Sequence, residues 1–405
     1  MTAVLRRPAT AMTAVVLATG LAAGLAGCSS PAPAGRSGPG QGRSPAARSS
    51  RPASQSASQP ASPAVSGPSA ADQARSAFSL LPAAGPGYLA PRSDPGALPG
   101  DVLIADEDNN RLLLVDPQGR IRWQFPGPGD VPRGYVFATP DDAFISPDGR
   151  AIVATQEMYD TVSLINVAAR RITARYGHPD TPGSAPGFFS HPDDAMLLPG
   201  GDLLLADIVN CRILLLAPGP WHVVRQLGTT GSCFHDPPAF FGSPNGVFPL
   251  DDGNFLVTEI NGDWVDEMSL TGHVYWSAHP PGVAYPSDAC QARGGHYIVT
   301  DYSDPGQVVI FDRTGRALWR FRPSGAQALN HPSLALPLPN GNILVNDDRN
   351  DRVIVIDPAT NRIVWQYGHD GVPGRGPGYL DNPDGVDMAP PGSLLMTHAA
   401  TMGHP

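Results

Sequence analysis

Lysine is absent from this 405-residue chain, and all 27 basic residues are arginine, which reads as the codon bias of a GC-rich genome. Charge of either sign is scarce, at 16% of residues, and it is unevenly placed. From Cys28 to Arg75 there are five Arg against Asp72 alone, whereas residues 76–405 carry 20 Arg against 36 acids. A globular part that acidic has no clustered cations to bind phosphate, so nucleic acid is excluded as a partner. Cysteine is rare as well, with four residues whose spacings suit no zinc motif. No G-x-S-x-G elbow, HExxH run, P-loop or G-x-G-x-x-G after a strand occurs. The common hydrolase, zinc-protease and nucleotide signatures are therefore missing, which weakens an enzyme reading without excluding one. What the chain has in quantity is Gly (45) and Pro (46), a composition suited to many turns between short strands rather than to helices.

The first residues carry an address. Arg6 and Arg7 precede an uncharged stretch from Pro8 to Gly27, which ends in Leu25-Ala26-Gly27-Cys28. This resembles a bacterial lipoprotein signal, and the resemblance implies a signal peptide over 1–27, cleavage before Cys28 and lipid on the Cys28 thiol. The alternative is an ordinary signal peptide or a single membrane helix. Ser29-Ser30, in place of a basic stop-transfer flank, favours the lipoprotein. Two or more acyl chains would make the attachment durable. Residues 28–84 are mostly Ser, Pro, Ala and Gly, which cannot bury a core and read as a disordered tether from the membrane. The expected location is the extracytoplasmic face of the cell membrane.

Residues 85–405 repeat. A Pro opens a short segment at Pro140, Pro192, Pro244, Pro286, Pro332 and Pro383, at intervals of about 42 to 52 residues. Each opening leads through a Gly turn to an apolar strand such as DLLLAD or NFLVTE, then to a third and a fourth strand. Four short antiparallel strands per repeat predict an all-β fold, a β-propeller. Asp106–Leu112, Asp207–Ile213 and Asp347–Val353 share D-x-x-N-x-R-[LIV], and on these residues the chain resembles the NHL repeat family. That resemblance implies six blades. The Pro383 segment is then expected to close the ring against the blade that begins near Gly100, which removes exposed edges. Seven blades are the alternative. Repeats 2, 4 and 5 depart from the motif at Thr155, Glu259 and Asp301.

Candidate site residues fall into four sets. The carboxylates that end the second strands (Asp106, Asp207, Glu259, Asp301, Asp347) are expected to fix turns with the Asn and Arg that follow. A Trp set at 123, 276, 319 and 365 reads as packing between blades. The run from Asp357 to Trp365 loosely resembles the docking motif of quinone-cofactor propellers, but Asn361 replaces the usual Gly and no quinone is expected. Cys211 and Cys233 should emerge on one face of the ring and form a disulfide, leaving Cys290 over. The residues just before the first strands include His191 and His331, which belong to the third and sixth blades and so oppose each other. Asp142, Asp194 and Asp288 crowd the same channel mouth. Related six-bladed lyases and hydrolases hold calcium or zinc there, which makes His191, His331 and Asp194 candidate ligands for Ca or Zn and leaves no cofactor certain.

Two functions follow. The first is a surface-displayed binding or scaffold module for an extracellular protein, peptide or glycan. It uses the channel mouth and the aromatic 228–249 loop with Phe234, His235, Phe240 and Phe241. The second is a metal-dependent lyase or hydrolase with its site at the same mouth. Nothing in the sequence sets the oligomeric state.

Overall fold

A computed structural model describes residues 87–389 apart from 220 and 251. Cys28 and the rest of the 28–84 segment lie outside the described residues. Among the described residues, 24 strands form six four-stranded antiparallel sheets. This is the six-bladed propeller that the repeats predict.

Blade 1 takes Asp101–Asp106, Arg111–Val115 and Ile121–Phe125 from one end of the propeller and its inner strand, Pro383–Ala389, from the other. Asp101 pairs with Ala389 and Asp106 with Pro383, so the ring closes as the edge argument requires. The inner strands of blades 2 to 6 are Ala143–Ile145, Pro192–Leu197, Pro244–Pro249, Pro286–Ala292 and Ala335–Pro337. The strands of blades 2 and 6 thus begin three residues after their prolines rather than at them.

Burial falls from the axis outward. In blade 3 the inner strand Pro192–Leu197 is almost wholly buried, while the outer strand His222–Leu227 is exposed at every residue but the last. Adjacent blades press apolar faces together, which forms clusters such as Leu204, Ile213, Phe241, Phe255 and Met268 between blades 3 and 4. Full burial of one such side chain contributes on the order of 1.5–3 kcal/mol. Trp365 fits this pattern, fully buried with its indole N–H donating to Pro117 O across the ring closure.

Two backbone devices position the channel residues. Thr139, His191, Ser243, His331 and Asn382, each directly before a first-strand Pro, have φ between 43° and 58°. These left-handed corners are held from the preceding blade: the Thr139, His191 and Asn382 amides donate to Asn110, Asp160 and Asp351. A bulge then follows the Pro, with the register shifting between Pro192 and Ala195, Pro244 and Val247, and Pro286 and Ala289. A bulge breaks the alternation of side chains, so two consecutive acids can both be aimed toward the axis.

Candidate functional site

In five of the six blades the first residue after the Pro lines the channel mouth, and the second lies deeper. Asp141, Asp193, Asn245, Ser287 and Asp384 line a cavity of about 200 Å³ at the mouth. Glu157, Ile208, Ile260 and Tyr302, each one position beyond a second-strand end, complete its wall with Tyr285. Sequence reasoning missed Glu157 and Glu107. Their signal was available as a shared offset, one residue after the second-strand ends at Gln156 and Asp106.

Below the cavity, one carboxylate oxygen from each of Asp142, Asp194 and Asp288 lies within 4.8 Å of the others. Asp141, Asp142 and Asp193 meet the same limit, as do Glu107, Asp141 and Asp384. All the inner Asp pairs of blades 2 and 3 are buried, Asp194 completely. Two glycines make room for them. A Cβ on Gly246 would sit 2.2 Å from Asp288 Oδ1, and one on Gly385 would sit 2.6 Å from Asp142 Oδ1.

Partners on the protein are few. Asp194 Oδ2 accepts from the Val247 amide at 2.7 Å and Asp387 Oδ2 from the Ile145 amide at 2.8 Å, each linking its blade to the next. Asp142 Oδ1, Asp194 Oδ1, Asp288 Oδ1, Asp141 Oδ2 and Asp193 Oδ2 accept no hydrogen bond. Burial, and then the neighbouring acids, push Asp141, Asp142, Asp194 and Asp288 well above the usual carboxylate range. Burial raises Asp193 to about 7 and Glu107 to about 9. Burial works against the Arg349 charge, but Tyr302, Asp384 and Asp348 outweigh it. Like charges this close cannot all ionise in a dry channel, so the site must retain protons or take up a cation.

The histidines stand apart from this cluster. His191 Nδ1 is 3.4 Å from Glu157 Oε1, and that contact raises its pKa. His331 Nδ1 is 2.7 Å from Asn330 Oδ1 and its ring meets Tyr302 edge-on, while burial lowers its pKa. Neither joins a group of three ligands among the described residues. A channel cation of the kind the family resemblance implies would therefore be held by Asp142, Asp194 and Asp288. Their hard oxygen donors and unengaged lone pairs fit calcium rather than zinc.

The second-strand carboxylates are structural in three blades. Asp106, Asp207 and Asp347 are fully buried and ion-paired with Arg111, Arg212 and Arg352 at 2.5, 2.7 and 2.7 Å. Asn109, Asn210 and Asn350 donate to the same carboxylates. In blade 2 the strand register puts Gln156, not Thr155, at this position, because Gln156 pairs with Thr161 as Asp106 pairs with Arg111. Thr155 instead hydrogen-bonds the Asp142 amide. Cys211 and Cys233 are joined, with Cα atoms 5.2 Å apart, and Cys290 is a buried free thiol donating to Ala335 O.

Residues 221–375, fewer than half of the chain, match the family model of the outer membrane protein assembly factor BamB. A protein of unknown function from Bacteroides caccae superposes with a TM-score of 0.50 at 15% identity, over 71% of this chain and 98% of that one. Virginiamycin B lyase from Staphylococcus aureus gives 0.41 at 15% identity over 56% and 69%. Hydrazine synthase from Kuenenia stuttgartiensis gives 0.43 at 15% over 65% and 74%. No curated protein matches the chain. At such identities the likeness to solved structures extends to the fold alone.

Proposed function

We propose that this protein is a lipid-anchored propeller of the NHL-repeat kind, attached through Cys28 to the extracytoplasmic face of the membrane and lifted from it by the 28–84 tether. It works as a binding module for an extracellular protein, peptide or glycan, and it captures a cationic group of that ligand at the channel mouth. One observation carries the reading: a 200 Å³ cavity walled by Asp141, Glu157, Asp193 and Asp384, in which Asp141 Oδ2 and Asp193 Oδ2 have no protein donor. An amine or guanidinium entering there gains charge-assisted hydrogen bonds that water-filled surroundings would weaken. The partial match to an assembly-factor family supports a scaffold role.

The test is capture from arrays of peptides and glycans by the full-length protein in detergent. Captured ligands should carry amino or guanidino groups, and Asp141→Asn with Asp193→Asn and Asp384→Asn should lose them. Equal capture by the triple variant would remove the mouth from the mechanism. Partition of wild type into the detergent phase and its loss in Cys28→Ser tests the anchor separately.

A second reading is favoured by the deeper cluster. Calcium held by Asp142, Asp194 and Asp288 would supply a Lewis acid beneath the cavity, as a lyase or hydrolase needs. In that case Asp141, Asp193 and Glu157 orient the substrate and hold or release a proton at the mouth.

A further inference from the structure

Blade 4 breaks the pattern that blades 1, 3 and 6 share, and it does so at two adjacent rungs of the ladder. At the rung where Asp106 pairs with Arg111, Asp207 with Arg212 and Asp347 with Arg352, blade 4 pairs Glu259 with Trp264. The arginine that neutralises the buried carboxylate elsewhere is gone. Two residues further along the third strand, Leu113, Leu214 and Ile354 are buried apolar residues in blades 1, 3 and 6, and Val309 occupies the place in blade 5. Blade 4 has Asp266 there, with a side chain that is 0% exposed. Blade 2 has changed both rungs too, but to a neutral pair in which Ser163 donates to Gln156 at 2.8 Å. Only blade 4 has removed a cation and added an acid.

A histidine arrives from outside the blade. His235 Nδ1 lies 3.0 Å from Glu259 Oε1 and 3.9 Å from Asp266 Oδ2, and the three ligand atoms all fall within 4.8 Å of one another. The loop that carries His235 is tied down immediately before it by the Cys211–Cys233 bridge. The Asp236 and Phe240 backbones pair just after it, and the imidazole stacks on Trp264 at 4.0 Å with planes 10° apart. Trp264, the residue in the arginine's place, thus orients the ring instead. Glu259 Oε2 accepts from the Gly242 amide, which leaves Oε1 turned to the histidine. Asp266 is fully buried, with the Glu259 carboxyl and the Ser277 hydroxyl beside it, and no backbone N–H donates to either of its oxygens. The His235 side chain is 20% exposed, so the site has an opening.

We propose that His235, Glu259 and Asp266 form a binding site for a first-row divalent transition-metal ion of the zinc class. One imidazole nitrogen with two carboxylates is a donor set for zinc, cobalt or manganese, in contrast to the oxygen-only cluster of the channel. Three protein ligands leave a coordination position open on the side of the exposed His235 edge, where a water or a ligand group can enter. The site is independent of the channel mouth and of the function proposed for it.

Full-length protein in detergent, stripped with chelator, is titrated with Zn²⁺ by calorimetry and with Co²⁺ as a spectroscopic probe. Wild type should bind one equivalent at this site, giving a visible Co²⁺ absorption that Zn²⁺ displaces. The same equivalent should persist when Asp142, Asp194 and Asp288 are all changed to Asn. It should be lost in His235→Ala and in Asp266→Leu, the latter restoring the residue of blades 1 and 3 and raising the melting temperature of the metal-free protein. Absence of Zn²⁺ binding by the stripped wild type would overturn the proposal, as would unchanged stoichiometry in Asp266→Leu. If His235→Ala fails to fold, Asp266→Leu still decides.

Discussion

The propeller buries two sets of aspartates, and they differ in what faces them. At the second-strand ends of blades 1, 3 and 6 each carboxylate meets an arginine and an asparagine, and the triad is completed by backbone carbonyls of the linker that leads into its blade. Along the inner strands, Asp142, Asp194 and Asp288 meet one another. The residue type and the burial are the same. What differs is that the first set is complete and the second is open to something from outside. A buried acid therefore becomes a candidate for function only after its partners have been counted.

The sharpest way to break this contrast is to take the cation from the closed set. Arg212→Met should cost about 3–5 kcal/mol by chemical denaturation, because Asp207 is left buried with its charge uncompensated. A cost within the range of surface substitutions would mean that the triads are no more complete than the channel. Next comes the staple beside blade 4: Cys233→Ser opens a loop of 22 residues and should cost on the order of 3 kcal/mol on the chain-entropy model. Peptide mapping without reductant should pair Cys211 with Cys233, and a bridge involving Cys290 would contradict this.

Proton linkage separates the two sets with a smaller effect. The channel acids have folded pKa values raised by burial and by one another, about 7 for Asp193, against about 4 in an unfolded chain. Between those values the folded chain holds protons that the unfolded chain has released. Their contribution to stability is complete below pH about 4 and is lost as pH rises through the folded values. The metal-free protein should therefore lose about 1.4 kcal/mol per pH unit for each such proton between pH 5 and 7. Asp142→Asn with Asp194→Asn and Asp288→Asn should flatten this slope, and melting curves across that range test it. The smallest effect expected is that of Asp194→Asn alone in metal-free protein at pH 8, where stability should hold or rise by up to about 1 kcal/mol. A loss of several kcal/mol there would place Asp194 with the closed triads.

The fold was legible because its signal repeats. Pro at intervals near 50 residues, D-x-x-N-x-R in three copies and a closing segment at Pro383 each reappear as a strand start, a triad or a ring closure. The alignment slipped by one residue in blade 2, where an Asn- and Arg-free sequence gave no anchor and Thr155 was read in the place of Gln156. Asp142, Asp194 and Asp288 could be grouped from their common offset after Pro. Their depth below Asp141 and Asp193 depends on a bulge, which leaves no mark in composition. His191 and His331 stand in opposite blades, yet their rings are taken by Glu157, Asn330 and Tyr302, contacts that spacing does not encode. Asp266 was hidden in plain view, since WVDEMSL reads as an ordinary half-buried strand until it is set against RLLLVD and RILLLA.

Closure of blade 1 by Pro383–Ala389 fixes an order of events during synthesis. Asp101–Asp106 is made early and its partner strand almost three hundred residues later, so every growing chain carries an unpaired strand edge with an apolar centre while five further blades emerge. A chain stopped before residue 383 would display that edge permanently, open to pairing with another copy. The Pro383–Ala389 strand is thus the one that turns a row of blades into a ring.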